Sequence, residues 1–218
     1  MSELVDDHDS NSCGFAAVWV RLPPRAPNIM PSNKNNLAYV IGLALGDGNL
    51  SNPNGRAVRL RITCDTKYQN LIKRAFLAVQ KLLPDNKTAI VKRAKTFCDI
   101  SCYSNQWEKL LGWKAKNGSK YKQNVSVPQW IKDNKNYSKY CLRGLLETDG
   151  SIYFDRGYKM ANFVTIIPAL AESFMELINK LGFEARVYKL KSPNKDRYNI
   201  RITKNIDLFL KTIGFTKD

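Results

Sequence analysis

The chain has one histidine in 218 residues, and it stands at position 8 in a tail rich in Asp and Ser. Nucleophile systems built on Ser-His-Asp or Cys-His, and zinc held by imidazole, all need a histidine at the site. Any catalysis here must therefore run on carboxylates, lysines or hydroxyls. The five cysteines (Cys13, Cys64, Cys98, Cys102 and Cys141) are odd in number and scattered, which argues against a disulfide framework or a zinc knuckle. Cys98 and Cys102 flank a short alternating stretch and read as half-buried strand residues. Long apolar runs are missing too: none approaches the roughly 18 to 20 residues that a membrane-spanning helix needs. The acidic start, Met1 to Asp9, carries the wrong charge for a secretory signal. The expectation is an intracellular protein, in cytoplasm, nucleoid or organelle, neither secreted nor membrane-embedded.

Acidic residues are in short supply. Against 35 Lys and Arg stand 19 Asp and Glu, for a formal charge of +16. The first 30 residues hold four of the acids (Glu3, Asp6, Asp7, Asp9) and two of the bases (Arg21, Arg25), so residues 31–218 carry 33 bases against 15 acids. Such an excess on a folded body is the footprint of a polyanion binder, with affinity that falls steeply as salt rises. A ribosomal or membrane-surface protein would be basic as well, so charge alone does not choose.

Residues 1–33 differ from the rest, with Asp and Ser early and then Arg21-Leu22-Pro23-Pro24-Arg25-Ala26-Pro27 and Pro31. So many prolines sustain neither a helix nor a central strand, and the stretch reads as a disordered extension. From residue 34 the chain says the same thing twice. Residues 34–113 form a first repeat: an apolar helix from Leu37 to Gly46 stopped by Asp47-Gly48, strand-like pieces including Arg59-Leu60-Arg61-Ile62, a helix to Leu83 capped by Asp65 or Thr66, two more strands, and a short helix ending at Gly112-Trp113. Residues 137–218 form a second: a helix from Tyr140 to Thr148 stopped by Asp149-Gly150, two strands, a helix opened by Pro168, two strands, and a last helix ending at Gly214-Phe215. A basic linker, 114–136, joins them through Lys116, Lys120 and Lys122 and one apolar island, Val125 to Ile131. The fold class is α+β, with two pseudo-symmetric αββαββα repeats.

Gly42 and Gly46 are four apart on one helix, as are Gly144 and Thr148 on the other. Small residues at that spacing let two helix backbones approach closely, so the two helices are expected to pack as the seam between halves. Each then delivers one carboxylate, Asp47 or Asp149, to the same end of that seam. The glycine that follows can take a left-handed conformation and turn the chain into a strand. An acid at a helix C-terminus opposes the helix dipole at a cost of about 0.3–1 kcal/mol, so its appearance twice asks for a function. Two acids side by side call for a cation, and hard oxygen ligands suit Mg²⁺.

Leu142-Arg143-Gly144-Leu145-Leu146-Glu147-Thr148-Asp149-Gly150 resembles the LAGLIDADG signature, and Ile41 to Gly48 resembles a second copy 102 residues earlier. The chain is therefore identified as a member of the LAGLIDADG homing endonuclease family of single-chain, two-motif type. The resemblance implies a monomer that hydrolyses both strands of a long, nearly asymmetric double-stranded DNA target with Mg²⁺, or Mn²⁺ in its place. Asp47 and Asp149, with Gly46 and Thr148 beside them, would bind metal. Lys116 (or Lys114) after Trp113 and Lys217 after Phe215 match the family's catalytic lysines. Each repeat would lay a curved antiparallel sheet in the major groove, forming a saddle, with Arg59, Arg61, Lys92, Lys159, Arg186, Lys189, Arg197 and Arg201 placed to reach phosphates or guanine edges. Two departures stand out. Where family members often carry a glutamine, the matching positions are Cys64 and Ile166, and position 45 of the first motif is Leu where Glu147 stands in the second. An intron RNA maturase, with intron RNA as partner, or a silent DNA-binding regulator would share charge, repeats and helices. The intact pair of aspartates favours the enzyme.

Overall fold

A helix that is apolar on every side has to be covered on every side, and α1 (Lys34–Asp47) is covered: Ala38 through Leu45 are all buried. Its main partner is α5 (Lys135–Asp149), and the contact between the two is the most extensive between any pair of helices. The computed structural model describes residues 34–217, so the extension expected over residues 1–33 lies outside the described residues.

After α1 the chain runs β1 (Gly48–Ser51), β2 (Arg59–Asp65), α2 (Gln69–Leu82), β3 (Thr88–Lys92), β4 (Phe97–Tyr103) and α3 (Trp107–Leu111). The four strands make one antiparallel sheet in the order β1-β2-β4-β3. A short α4 (Gln129–Lys132) precedes α5, which opens at Lys135, inside the segment expected as linker. The second half repeats the plan with β5 (Gly150–Asp155), β6 (Tyr158–Thr165), α6 (Pro168–Lys180), β7 (Ala185–Leu190), β8 (Arg197–Ile202) and α7 (Ile206–Ile213), its sheet ordered β5-β6-β8-β7. The two αββαββα halves are pseudo-symmetric about the α1–α5 seam.

Alternation decides which sheet face meets the helices. In β2, Leu60, Ile62 and Cys64 are buried beneath α1, while Arg59, Arg61 and Thr63 point the other way. In β8, Ile200 and Ile202 are buried, with Arg197, Asn199 and Arg201 outward. The second core is closed by Phe163 of β6 stacked on Phe174 of α6 with ring centres 4.2 Å apart. Helices cover only one face of each sheet, and the outward faces carry the arginines. Among the described residues no helix is long and apolar enough to cross a membrane.

Two local expectations need correcting. Neither Asp65 nor Thr66 caps α2, which is preceded by Tyr68 and has no side-chain cap. Asp65 is still in the sheet, in register with Phe97, and its Oδ1 accepts the Lys67 N–H at 2.9 Å to close the turn. Gly48 and Gly150 are not left-handed: Gly150 has φ −85° and ψ 150°, and Gly48 is absent from the positive-φ glycines. They are glycine for lack of room, because a Cβ at Gly48 would stand 2.4 Å from the Ala44 carbonyl oxygen and one at Gly150 would stand 2.4 Å from that of Leu146. Each helix thus passes into its strand with no intervening loop.

Candidate active site at the foot of the helix seam

The seam is made of main chain. A Cβ at Gly42 would lie 2.2 Å from the Cys141 carbonyl oxygen, and one at Gly144 would lie 2.5 Å from that of Tyr39. One turn further on, a Cβ at Gly46 would meet Thr148 Oγ1 at 2.0 Å and Asp149 Oδ2 at 3.3 Å. Only helices that touch backbone to backbone leave so little space, and the touch carries Asp47 and Asp149, the last residues of α1 and α5, to one end of the seam. The Thr148 hydroxyl turns back onto its own helix, donating to the Gly144 and Leu145 carbonyls at 2.9 and 3.0 Å, so it fills the gap opposite Gly46 without projecting into the site.

Two amines close the site. Lys217 Nζ donates to the Thr148 and Gly150 carbonyls, both at 3.1 Å. Lys120 Nζ donates to the carbonyls of Ala44 at 3.1 Å and Leu45 at 2.7 Å, and to that of Gly46. Each lysine therefore sits at the C-terminal, partially negative end of a motif helix. In doing so the amines occupy the Gly46 and Thr148 carbonyls, the two main-chain positions expected beside the metal.

The four charges feel one another. Burial, then the charge of Asp47, pushes the Asp149 carboxyl up to about 6, against the pull of Lys120 and Lys217. Asp47, which keeps an open face to solvent, is also raised, by the partial burial of its carboxyl, again opposed by the two lysines. Burial brings Lys120 down to about 8 in spite of both aspartates. A cleft of about 420 Å³ opens beside the pair, reached by Gly46, Lys120, Asp149, Ile166 and Lys195. Cys64 stands inside β2 close enough to Asp47 to sense its charge, and burial pushes its thiol up to about 12. It is a neutral, inward-facing group where the resemblance suggests an amide; Ile166 is an exposed apolar one.

Lys116 does not join the aspartates. It is exposed, beside Asn52, Asn105 and Glu108 in a different depression. Lys120 takes the place that the resemblance implied for Lys116 or Lys114: Lys217 lies 68 residues after Asp149 and Lys116 lies 69 after Asp47, whereas Lys120 lies 73 after it. The first half reaches its carbonyls by a route a helical turn longer. A turn at Ser119–Asn124, pinned by Val125 N–H to the Lys120 carbonyl at 3.2 Å, folds Lys120 back.

Strand register sorts the basic residues. Arg59 and Arg61 of β2, Arg186 of β7, and Arg197 and Arg201 of β8 lie on the outward faces. Lys92, Lys159 and Lys189 have the opposite parity: Lys92 is paired with buried Cys98, Lys159 reaches Asp207 of α7 at 2.6 Å, and Lys189 is in register with Tyr198 and ion-paired to Asp196 at 2.9 Å. The structure therefore does not group these three with the arginines. The outward faces hold polar residues not foreseen from sequence. Asn49 accepts from Arg61 at 3.1 Å, Asn162 donates to the Tyr153 hydroxyl at 2.8 Å, and the Arg201 guanidinium lies 5.3 Å over the Tyr188 ring. A buried acid, Asp99, sits among them with Arg93 at 3.3 Å.

Two family models meet this architecture half by half: a LAGLIDADG-like domain matches residues 136–214, and a WhiA LAGLIDADG-like domain matches residues 36–98. The chain belongs to the LAGLIDADG family. Among solved structures, this LAGLIDADG chain is similar to I-DmoI in complex with DNA and Mn, with TM-score 0.61 and 23% identity over 83% of this chain and 96% of that one. It is similar too to full-length DUF199/WhiA from Thermatoga maritima, with TM-score 0.58 and 16% identity over 88% of this chain and 59% of that one. A curated relative, the tRNA-splicing ligase RtcB of Methanopyrus kandleri, is 26% identical over 208 residues, and the match spans 84% of this chain but 21% of that protein.

Proposed function

We propose that this LAGLIDADG chain is a site-specific endonuclease that cuts both strands of DNA, acting as a monomer with divalent metal between Asp47 and Asp149. The observation that carries the reading is the convergence of two carboxylates and two part-buried amines at one end of a seam with no room for a side chain. Like charges held together at a cost in stability suit a cation, and all the candidate donors are hard oxygens, which suits Mg²⁺ or Mn²⁺. Among the described residues no group of three or more His, Cys, Asp or Glu forms a metal cluster. With the Gly46 and Thr148 carbonyls taken by the two lysines, the pair would share its ion with water and phosphate oxygens. When bound, such an ion polarises a phosphate and makes hydroxide available from water at neutral pH. The chain's own part is to hold the ion with Asp47 and Asp149 and to place positive charge at the reacting phosphate through Lys120 and Lys217. Lys120, held near 8, also exchanges a proton close to neutral pH.

The outward sheet faces supply the DNA contacts in this reading, through Arg59, Arg61, Arg186, Arg197 and Arg201. The halves differ at these positions. Arg61 is tied to Asn49 while Arg201 stacks over Tyr188, so a long target without dyad symmetry is the natural partner. A second reading, a DNA-binding regulator that does not cut, is favoured by the match of residues 36–98 to the WhiA model and by Cys64 and Ile166, neither of which orders a water as an amide would. Incubation of a plasmid library with purified protein and Mg²⁺, beside Asp47→Asn and Asp149→Asn, separates them. Discrete double-strand cuts lost in both variants are expected. Salt-sensitive binding with no cutting in Mg²⁺ or Mn²⁺ would refute the nuclease and leave the regulator.

A further inference from the structure

Glu147 is a carboxylate with no solvent exposure, two residues before Asp149. A buried charge persists only if it is paired and hydrogen-bonded, and this one is. Tyr39 of α1 donates its hydroxyl to Oε2 at 2.5 Å, Arg143 donates Nε to Oε1 at 2.9 Å, and Arg74 of α2 donates Nη2 to Oε1 at 3.2 Å. The guanidinium groups reach further. Arg143 Nη2 donates to Thr216 Oγ1 at 3.1 Å, Arg74 Nη2 donates to the Thr216 carbonyl, and the Thr216 N–H comes within 3.5 Å of Glu147 Oε1. Thr216 is thus gripped at side chain, carbonyl and amide, and the next residue is Lys217. With Glu147 fixing both guanidinium forks, the backbone of Lys217 is held one peptide unit from the grip, and only its own side-chain torsions separate it from the Thr148 and Gly150 carbonyls that its amine meets.

The other half has no such device. The position matching Glu147 is Leu45, buried and apolar, and Lys120 is carried there by the linker turn. The grip also crosses the seam, since Tyr39 and Arg74 belong to the first half and Arg143, Glu147 and Thr216 to the second.

We infer that Glu147 is a positioning residue: through Arg74, Arg143 and Thr216 it holds the C-terminal segment where the Lys217 amine meets the end of α5, and it does so only while the two halves are docked. The role of Lys217 in cleavage rests on the function proposed above; the holding of Lys217 does not.

The test is acetylation of amines on the full, metal-free chain with an activated acetyl ester, quantified by peptide mass spectrometry at Lys217 and, as internal reference, Lys120. In Arg74→Met and Arg143→Met the Lys217 rate is expected to rise about fivefold, the change in population that one lost hydrogen bond produces, with Lys120 unchanged. Thr216→Val removes only the exposed hydroxyl link, leaves the core intact, and is expected to give a smaller rise in the same direction. If the arginine variants do not fold, Thr216→Val decides. Parent-like labelling of Lys217 in Thr216→Val and in every folded arginine variant overturns the inference. Cleavage assays on the same variants are expected to show a lower kcat with KM unchanged. A parent that never cuts DNA removes the nuclease reading and leaves the labelling result standing.

Discussion

Replacing Asp149 with Asn should make the metal-free protein more stable at neutral pH. The folded chain holds the Asp149 carboxyl at about 6 against an ordinary 3.8, first because it is buried and second because of the charge on Asp47. Between those values the folded chain keeps a proton that the unfolded chain has released, so stability falls as pH rises through the window and the deficit is complete above about pH 6. A displacement of that size corresponds to about 3 kcal/mol. Asp149 also supplies part of the attraction that keeps Lys120 charged, and an amide would forfeit it. The net gain expected for Asp149→Asn at pH 7.5 is therefore about 1–2 kcal/mol, or roughly 3–6 °C in a domain of this size. Urea unfolding of both proteins in EDTA between pH 4 and 7.5 measures it. The difference should be small at pH 4, where acid and amide are both neutral, and should grow to its full value by about pH 6.5. An Asn variant less stable than the parent at pH 7.5, or a difference independent of pH, would refute the reasoning. The expected result marks the carboxylate as kept at a cost to folding, which is the pattern of a functional site.

Gly144→Ala should destabilise by about 3 kcal/mol or prevent folding, because the new Cβ meets the Tyr39 carbonyl at 2.5 Å and both partners are backbone; thermal unfolding reads this directly. Tyr39→Phe takes one donor from the buried Glu147 carboxylate and should cost about 1.5–3 kcal/mol in denaturant unfolding. In DNA binding, Arg201→Ala should weaken affinity and flatten the slope of log K against log salt by about 0.9 for a lost phosphate contact. Lys189→Ala, on the opposite face and paired with Asp196, should leave that slope unchanged, and an equal effect of the two would overturn the face assignment.

What could be read in advance was whatever repeats locally. Leu60 and Ile62 alternate with Arg59 and Arg61 at period two, so the inward and outward sides of β2 are written in the strand itself. The apolar helices closed by Asp-Gly were legible for the same reason, and so was the close approach at Gly42 and Gly144. Illegible features depend on partners distant along the chain. Whether Lys189 points outward is decided by register with β8, since β7 shows no burial alternation of its own. Lys120 rather than Lys116 reaches the site because a turn four residues later folds back under α1. The glycines after each aspartate were expected to serve a left-handed turn, but the helix wall they pass fixes them. The four-residue β1 is too short to show any pattern, and the nearness of Cys64 to Asp47 follows only once β2 lies beneath α1.

The seam has one more consequence, for how such chains can be recombined. At Gly42 and Gly144 each half sees only the peptide backbone of the other, and backbone is common to all sequences. A half taken from another chain with glycines at the same places would fit that surface as well as the native one does. The cluster around Glu147 is different, because it draws Tyr39 and Arg74 from one half and Arg143 and Thr216 from the other. Exchange of halves is thus licensed by shape along most of the interface and opposed by charge at this cluster, so that a chimera must match five side chains, Glu147 included, to reproduce the junction.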